Sequence, residues 1–239
     1  MTPTIIGAGR VGIALSELAG TPAHQRGQAW HDAPPGPLIV CTRNDDLAAV
    51  IQATPEHRRE DLVFIQNGML RPLLVEHGLQ DNTQALVYFA VSTRGDAPVD
   101  GGGTVVTGKW AQAFCELLAK GDLECTVVDS TRFGQQMVEK LLWNCVFGLL
   151  CQVHNASVGT LVREQRAQID ALVAELSGVA ERALGLTLEP GVSQRLCDYS
   201  LKIADYKGAV KEMRWRNGWF LEQERTPVHV GLLERALVL

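Results

Sequence analysis

Residues 5–12 read Ile-Ile-Gly-Ala-Gly-Arg-Val-Gly. Gly7, Gly9 and Gly12 form a G-x-G-x-x-G turn that follows a short apolar run and opens a helical pattern. Each glycine has its own physical reason. Gly7 permits the tight turn, Gly9 lets a pyrophosphate approach the backbone, and Gly12 lets helix and strand pack closely. The helix start then offers unpaired N–H groups and a partial positive charge to an anion. The flanks favour a dinucleotide site built from Gly7, Ala8, Gly9, Arg10, Val11 and Gly12 over a plain tight turn or an adenosylmethionine site.

The same logic extends outward from the turn. The apolar runs Thr4–Ile6, Leu38–Cys41 and Leu62–Ile65 each end in a turn-forming or polar cluster. Buried strands separated by helical patterns, at Val11–Leu18 and Leu47–Ile51, predict a parallel sheet covered on both faces. Ala85–Val91 and Gly103–Val106 read as two further strands around the turn Asp100–Gly103. A second strand is expected at Gln28–Trp30, followed by His31 and Asp32. An acid about 20 residues past the glycines takes a ribose 2′-hydroxyl, and a cation takes a 2′-phosphate. Asp32 fits the first role by spacing, or merely starts the turn at Ala33; His31 or Arg10 fits the second. The chain then runs through Pro34-Pro35-Gly36-Pro37 straight into the next strand. A doubly wound half usually spends another helix and strand there, so the adenosine side is expected to be thin. Asn67 follows the strand Leu62–Ile65, where polar side chains face a ligand crevice; a plain Asn-Gly turn is the other reading.

From about Phe133 the strand signals stop. Met137, Leu141, Leu142, Cys145 and Leu149 recur at helical spacing. Ile169–Leu184 and Leu201–Leu221 read as further helices, and Thr226-Pro227 as the cap and first turn of a last one. The fold class is therefore α/β. A Rossmann-like, doubly wound parallel sheet occupies residues 1–129, and an all-helical domain occupies residues 130–239.

The whole-chain numbers agree. The 239 residues carry a net charge of −5, with 46% hydrophobic and 21% charged side chains. That composition is globular and gives no electrostatic footprint for nucleic acid or an anionic membrane. No apolar run reaches the roughly 20 residues of a membrane span. The six cysteines lack metal-ligand spacing and sit in apolar segments, so a reduced, cytoplasmic protein without a structural metal is expected.

Gln136, Lys140, Asn144 and Gly148 share one helical face, at i, i+4, i+8 and i+12. A lysine and an asparagine are costly to bury without partners. The stripe either faces water or lines a site that does chemistry.

Taken together, these motifs resemble the ketopantoate reductases (2-dehydropantoate 2-reductases), in a divergent and shortened form. The resemblance rests on Gly7–Gly12, on Gln66-Asn67-Gly68-Met69, and on Lys140-Leu141-Leu142-Trp143-Asn144. Ser200, Glu212 and Asn217-Gly218-Trp219-Phe220-Leu221 complete it in the same order. It implies an NAD(P)-dependent oxidoreductase whose helical half is similar to the C-terminal domain of 6-phosphogluconate dehydrogenases. Hydride would pass to the carbonyl of a small 2-oxo acid or related substrate, with Lys140 as general acid. Glu212 would sit beside the lysine and the substrate hydroxyl, Asn144 would orient the substrate, and Ser200 would hold its carboxylate side. Asn67 and Arg43 would contact the cofactor, with His31 where an NADP-selecting arginine often stands. The resemblance favours NADP(H) and leaves NAD(H) open. Gly148 and Val158 stand where the family usually has substrate asparagines, which implies a substrate other than ketopantoate. A catalytically silent dinucleotide-binding or sensing protein, and an opine-type or imine dehydrogenase, are the competing readings. Met213, Trp215, Trp219 and Phe220 read as core against the Lys140 helix, or as the interface of a homodimer.

Overall fold

The computed structural model describes residues 2–238. Contacts divide the chain into two compact units, Met1–Phe133 and Gly134–Leu239.

Short aliphatic triplets build the sheet of the first unit. β1 (Thr4–Ile6), β2 (Leu38–Val40) and β3 (Leu62–Phe64) are buried at every position, as strands covered on both faces are. They pair in parallel, Ile5 beside Ile39 and Ile39 beside Val63. α1 (Arg10–Ala19), α2 (Leu47–Ala53) and α3 (Arg71–Glu76) connect β1 through β4 (Thr83–Leu86). β5 (Phe89–Ala90) and β6 (Val99–Asp100) form a separate antiparallel ribbon. β7 (Val105–Thr107) returns antiparallel to β4, and after α4 (Ala111–Ala119) β8 (Thr126–Val127) lies parallel to β7. The order is β1-β2-β3-β4-β7-β8, a Rossmann-like α/β sheet with one antiparallel pair. The run expected as one strand over 85–91 is split, because Phe89-Ala90 leaves the sheet to pair with Val99-Asp100.

The strand expected at Gln28–Trp30 does not form. Instead His24 alone bridges to β1. Its N–H donates to the Ile5 carbonyl at 2.8 Å, and its own carbonyl accepts from Gly7 at 2.9 Å. β2 holds the opposite edge of β1, through Thr4 N–H to Pro37 and Cys41 N–H to the Ile6 carbonyl. The reversal of winding beside β1 is thus carried by one residue. Residues 25–36 are too rich in glycine and proline, and too poor in apolar side chains, to extend a buried strand.

The second unit is helical. α5 (Ser130–His154) begins at the boundary and is followed by α6 (Val158–Glu164), α7 (Arg166–Leu184) and α8 (Val192–Lys202). α9 (Asn217–Gln223) and α10 (Pro227–Arg235) close the chain. Among the described residues no single helix is long and apolar enough to cross a membrane. The helix expected over 201–221 is overturned: α8 stops at Lys202, and residues 203–212 run as irregular chain across α5 and α6. Gly148 and Gly159 permit the crossing. A Cβ on Gly148 would lie 2.8 Å from the Ala209 carbonyl oxygen, and one on Gly159 would lie 2.6 Å from the Ala204 Cβ. The N–H groups of Val158 and Gly159 donate to the carbonyls of Tyr206 and Ala204, both at 2.9 Å.

Trp215, Trp219 and Phe220 are buried within the unit, and α9 packs on α7. The stretch is therefore core and not interface, but it packs on α7 where the Lys140 helix, α5, was expected. Pro227 opens α10 as expected, but Thr226 makes no side-chain cap bond. Glu175 of α7 takes the cap, accepting from the N–H groups of Val228 and His229 at 3.0 Å each. Such a carboxylate is favoured by the partial positive charge of the helix start.

Candidate active site

The glycine turn of the first unit has the geometry that its residues call for. Gly7 has φ +106°, and a Cβ there would press on the Cys41 backbone at 2.9 Å. A Cβ on Gly12 would lie 1.8 Å from the Gly7 carbonyl oxygen, so only glycine lets α1 start against the turn. Gly9 differs. A Cβ there would meet nothing closer than the Cys41 carbonyl oxygen at 4.0 Å. Gly9 is the N-cap of α1, no side chain caps the helix, and its first turn holds no acid. The backbone is left open to an anion.

This turn forms one wall of a cavity of about 560 Å³, within the range of ligand pockets. The loop through Arg26, Trp30 and His31 forms a second wall, and Thr42, Arg43 and α2 a third. The adenosine side expected to be thin is thus a half-open cavity, walled by loop where a longer sheet would place a helix and strand. Trp30 is fixed by its indole N–H, which donates to Thr54 Oγ1 at 3.1 Å. Arg26 pairs with Asp46 at 3.0 Å. Burial pushes the Cys41 thiol up to about 12, so it is a neutral, compact group on the wall. Thr42 Oγ1 is buried without a hydrogen-bond partner among the described residues, a polar atom that a bound nucleotide could satisfy.

Several expected cofactor contacts find their place here and others do not. Gly7, Ala8, Gly9, His31 and Arg43 line the cavity. Val11 packs into the core behind it. Arg10 does not line it; its guanidinium donates to the Ser92 carbonyl at 2.9 Å, away from a 2′-phosphate role. Asp32 is exposed and outside the lining, so spacing alone misplaces it as the ribose acid. Asn67 is also outside the lining, its backbone carbonyl accepting from Asn44 Nδ2 at 2.7 Å. Arg26 and Trp30 were not legible as site residues, because the loop that carries them has no periodic pattern.

In the second unit Lys140 lies half-buried on α5. Burial, reinforced by the positive charge of Arg216, pushes its amine down to about 7. Asn144, one turn on, donates from Nδ2 to the Lys140 carbonyl at 2.8 Å. Glu212 takes another role than the one expected. Its carboxylate pairs with Arg216 at 2.7 Å, and the charge acting on Lys140 is the arginine's. Ser200 is fully buried. Its hydroxyl donates to the Leu196 carbonyl at 2.8 Å and accepts from the Trp143 indole at 2.9 Å, which commits it to the core and away from a substrate carboxylate. Arg216 is the site residue that sequence reasoning missed; nothing in its spacing separates it from the surface charges Arg214 and Lys211 nearby.

Known proteins agree with this architecture. Residues 132–215 match the family model described as ketopantoate reductase PanE/ApbA C terminal. A PanE/ApbA family ketopantoate reductase from Ralstonia eutropha JMP134 superposes with a TM-score of 0.75 at 18% identity, covering 100% of this chain and 97% of that one. A dimeric ketopantoate reductase from Staphylococcus aureus gives 0.71 at 18% identity, covering 99% and 98%. D-mandelate dehydrogenase, in a ternary structure with NADH and anilino(oxo)acetate, gives 0.72 at 13% identity, covering 99% and 97%. No curated protein sequence matches. The likeness to ketopantoate reductases is thus shown in sequence over residues 132–215 and in fold along the chain.

Proposed function

We propose, for a chain whose helical half matches the ketopantoate reductase C-terminal domain, that it is an NAD(P)-dependent reductase of a small 2-oxo acid. The observation that carries this reading is Lys140, an amine that burial and Arg216 hold at about 7 on the helix matched by the family model. The neighbours support the same chemistry: they include reductases of 2-oxo acids and a dehydrogenase seen with NADH.

The bound nicotinamide would supply the hydride. Everything else falls to this chain. The open turn at Gly9 and the start of α1 would hold the pyrophosphate. Trp30, Ala49, Val50 and Ala53 offer apolar surface to an adenine. His31 and Arg43 stand on the cavity wall while the local carboxylate, Asp46, is engaged by Arg26. That balance of charge favours a 2′-phosphate, and so NADP(H). Addition to a carbonyl creates an alkoxide. The Lys140 ammonium would stabilise that charge and then protonate it. An amine near 7 suits a general acid at neutral pH, since it holds its proton for part of the time and releases it readily. Asn144 would orient the substrate with the half of its amide not bound to the helix. A homodimer, as described for the Staphylococcus aureus neighbour, belongs to the proposal.

The test is a panel of 2-oxo acids assayed with NADPH and with NADH. Consumption of NADPH by the wild type, abolished in Lys140→Ala with the affinity for NADPH kept, is the expected result. Cofactor binding with no turnover on any 2-oxo acid would point instead to a silent binding protein.

A further inference from the structure

We infer that Arg216 receives the carboxylate of the substrate, with Glu212 holding its guanidinium in place; the inference rests on the 2-oxo acid reading above. Arg216 is only 9% exposed. A buried guanidinium stays charged and needs acceptors. One edge has them, since Nη2 pairs with Glu212 Oε2 at 2.7 Å. Nε has none: it is buried and has no hydrogen-bond partner among the described residues. A buried donor left unmet is a cost that folded proteins rarely carry without a function or a bound group to meet it.

Position says what that group is. Arg216 lies close enough to α5 to act on two of its residues, depressing the Lys140 amine and pulling back the Cys145 thiol that burial pushes up. Neighbouring polar groups are partly engaged. Ser200 is bound to Trp143 and Leu196, and one Asn144 hydrogen goes to the Lys140 carbonyl. Arg216 adds positive charge beside the proton donor, and the acid paired with it, Glu212, is partly open to solvent. A 2-oxo acid brings the missing negative charge on the carbon next to its carbonyl. A planar carboxylate fits an arginine fork in two parallel hydrogen bonds, as an ammonium cannot provide.

The mount of Arg216 is rigid. Glu212 adopts a left-handed conformation, φ +47°, and the N–H of Trp215 donates to the Glu212 carbonyl at 2.9 Å. Behind it, a Cβ on Gly218 would lie 2.6 Å from the Met213 carbonyl oxygen. A non-glycine residue held at positive φ is a cost more often met at functional turns than elsewhere.

The experiment measures oxamate, a non-reducible 2-oxo acid analogue, by calorimetry on the full chain with NADPH present, in the wild type, Arg216→Gln and Arg216→Lys. Loss of a charge-assisted fork predicts oxamate binding weaker by about 10–100-fold in Arg216→Gln, with Arg216→Lys between the two. KM for 2-oxo acids should rise in parallel, while KM for their methyl esters moves little. Oxamate binding equal to wild type in either folded variant overturns the inference, even if 2-oxo acid turnover upholds the reductase reading. Failure of the wild type to bind oxamate overturns it as well. Oxamate binding that depends on Arg216 in a protein without turnover upholds the carboxylate site and removes only the reductase.

Discussion

The carbonyl oxygen of Ala209 stands 2.8 Å from the point where a Cβ on Gly148 would be. Backbone, rather than solvent or a substrate, therefore fills the space at Gly148, two turns of α5 beyond Lys140. Replacing Gly148 with asparagine would force the 203–212 segment off the helix and not restore a polar anchor. Overpacking of this kind costs about 1–3 kcal/mol. Urea denaturation of Gly148→Asn should show that loss, and unchanged stability would mean that the segment yields freely.

Lys140→Ala should fold as the wild type and lose on the order of 100-fold or more in turnover, the scale for a general acid. The pH dependence follows from the protonated form being the active one in reduction. With the amine at about 7, the rate of carbonyl reduction should fall as pH rises through 7, and the rate of alcohol oxidation should rise. A steady-state profile flat between pH 6 and 9, with chemistry rate-limiting, would remove Lys140 from the proton transfer.

Gly9→Val places a side chain in open space, so the chain should fold. The same side chain enters the approach to α1, and NADPH affinity should drop roughly tenfold or more as charge-assisted N–H contacts are lost. Trp30, on the cavity wall, supplies the fluorescence signal for the titration. In the same assay Arg43→Gln should weaken NADPH and leave NADH nearly unchanged; equal effects on the two would move the 2′-phosphate elsewhere.

His229 predicts acid sensitivity. It is fully buried, its Nε2 lies 2.8 Å from Asn217 Oδ1, and burial pushes it down to about 4 against a weaker opposing pull from Glu175. The unfolded chain regains the ordinary value near 6.5 and takes up the proton first as pH falls. Stability should therefore decline between pH 6.5 and 4, by up to about 3 kcal/mol from this residue. Denaturation midpoints of His229→Gln over that range should show a shallower decline than the wild type.

Much of this was legible in the sequence, for reasons that differ from residue to residue. The buried triplets at Ile5, Ile39 and Val63 and the turn at Gly7–Gly12 are local patterns, and local patterns survive folding. Lys140 stood out because a cation is costly inside an apolar helix. Ser200 and Glu212 fell to other partners because their roles depend on contacts that spacing does not encode: the indole of Trp143, from α5, and the guanidinium of Arg216. The helix read over 201–221 failed because apolar spacing cannot show that backbone must cross at Gly148 and Gly159. Arg216 itself reads as one more charged residue until its burial is known.

His24 touches β1 through two peptide hydrogen bonds and nothing longer. A change of direction that a full-sized sheet secures with a whole strand rests here on one backbone bridge, with side-chain contacts from Trp30, Arg26 and Arg58 holding the loop beyond it. Opening that bridge would loosen the junction between the glycine turn and the loop that walls the cavity. Amide exchange at His24 and Gly7 should therefore slow in concert when nucleotide is added, and this pair of protons would report directly on occupancy of the cavity.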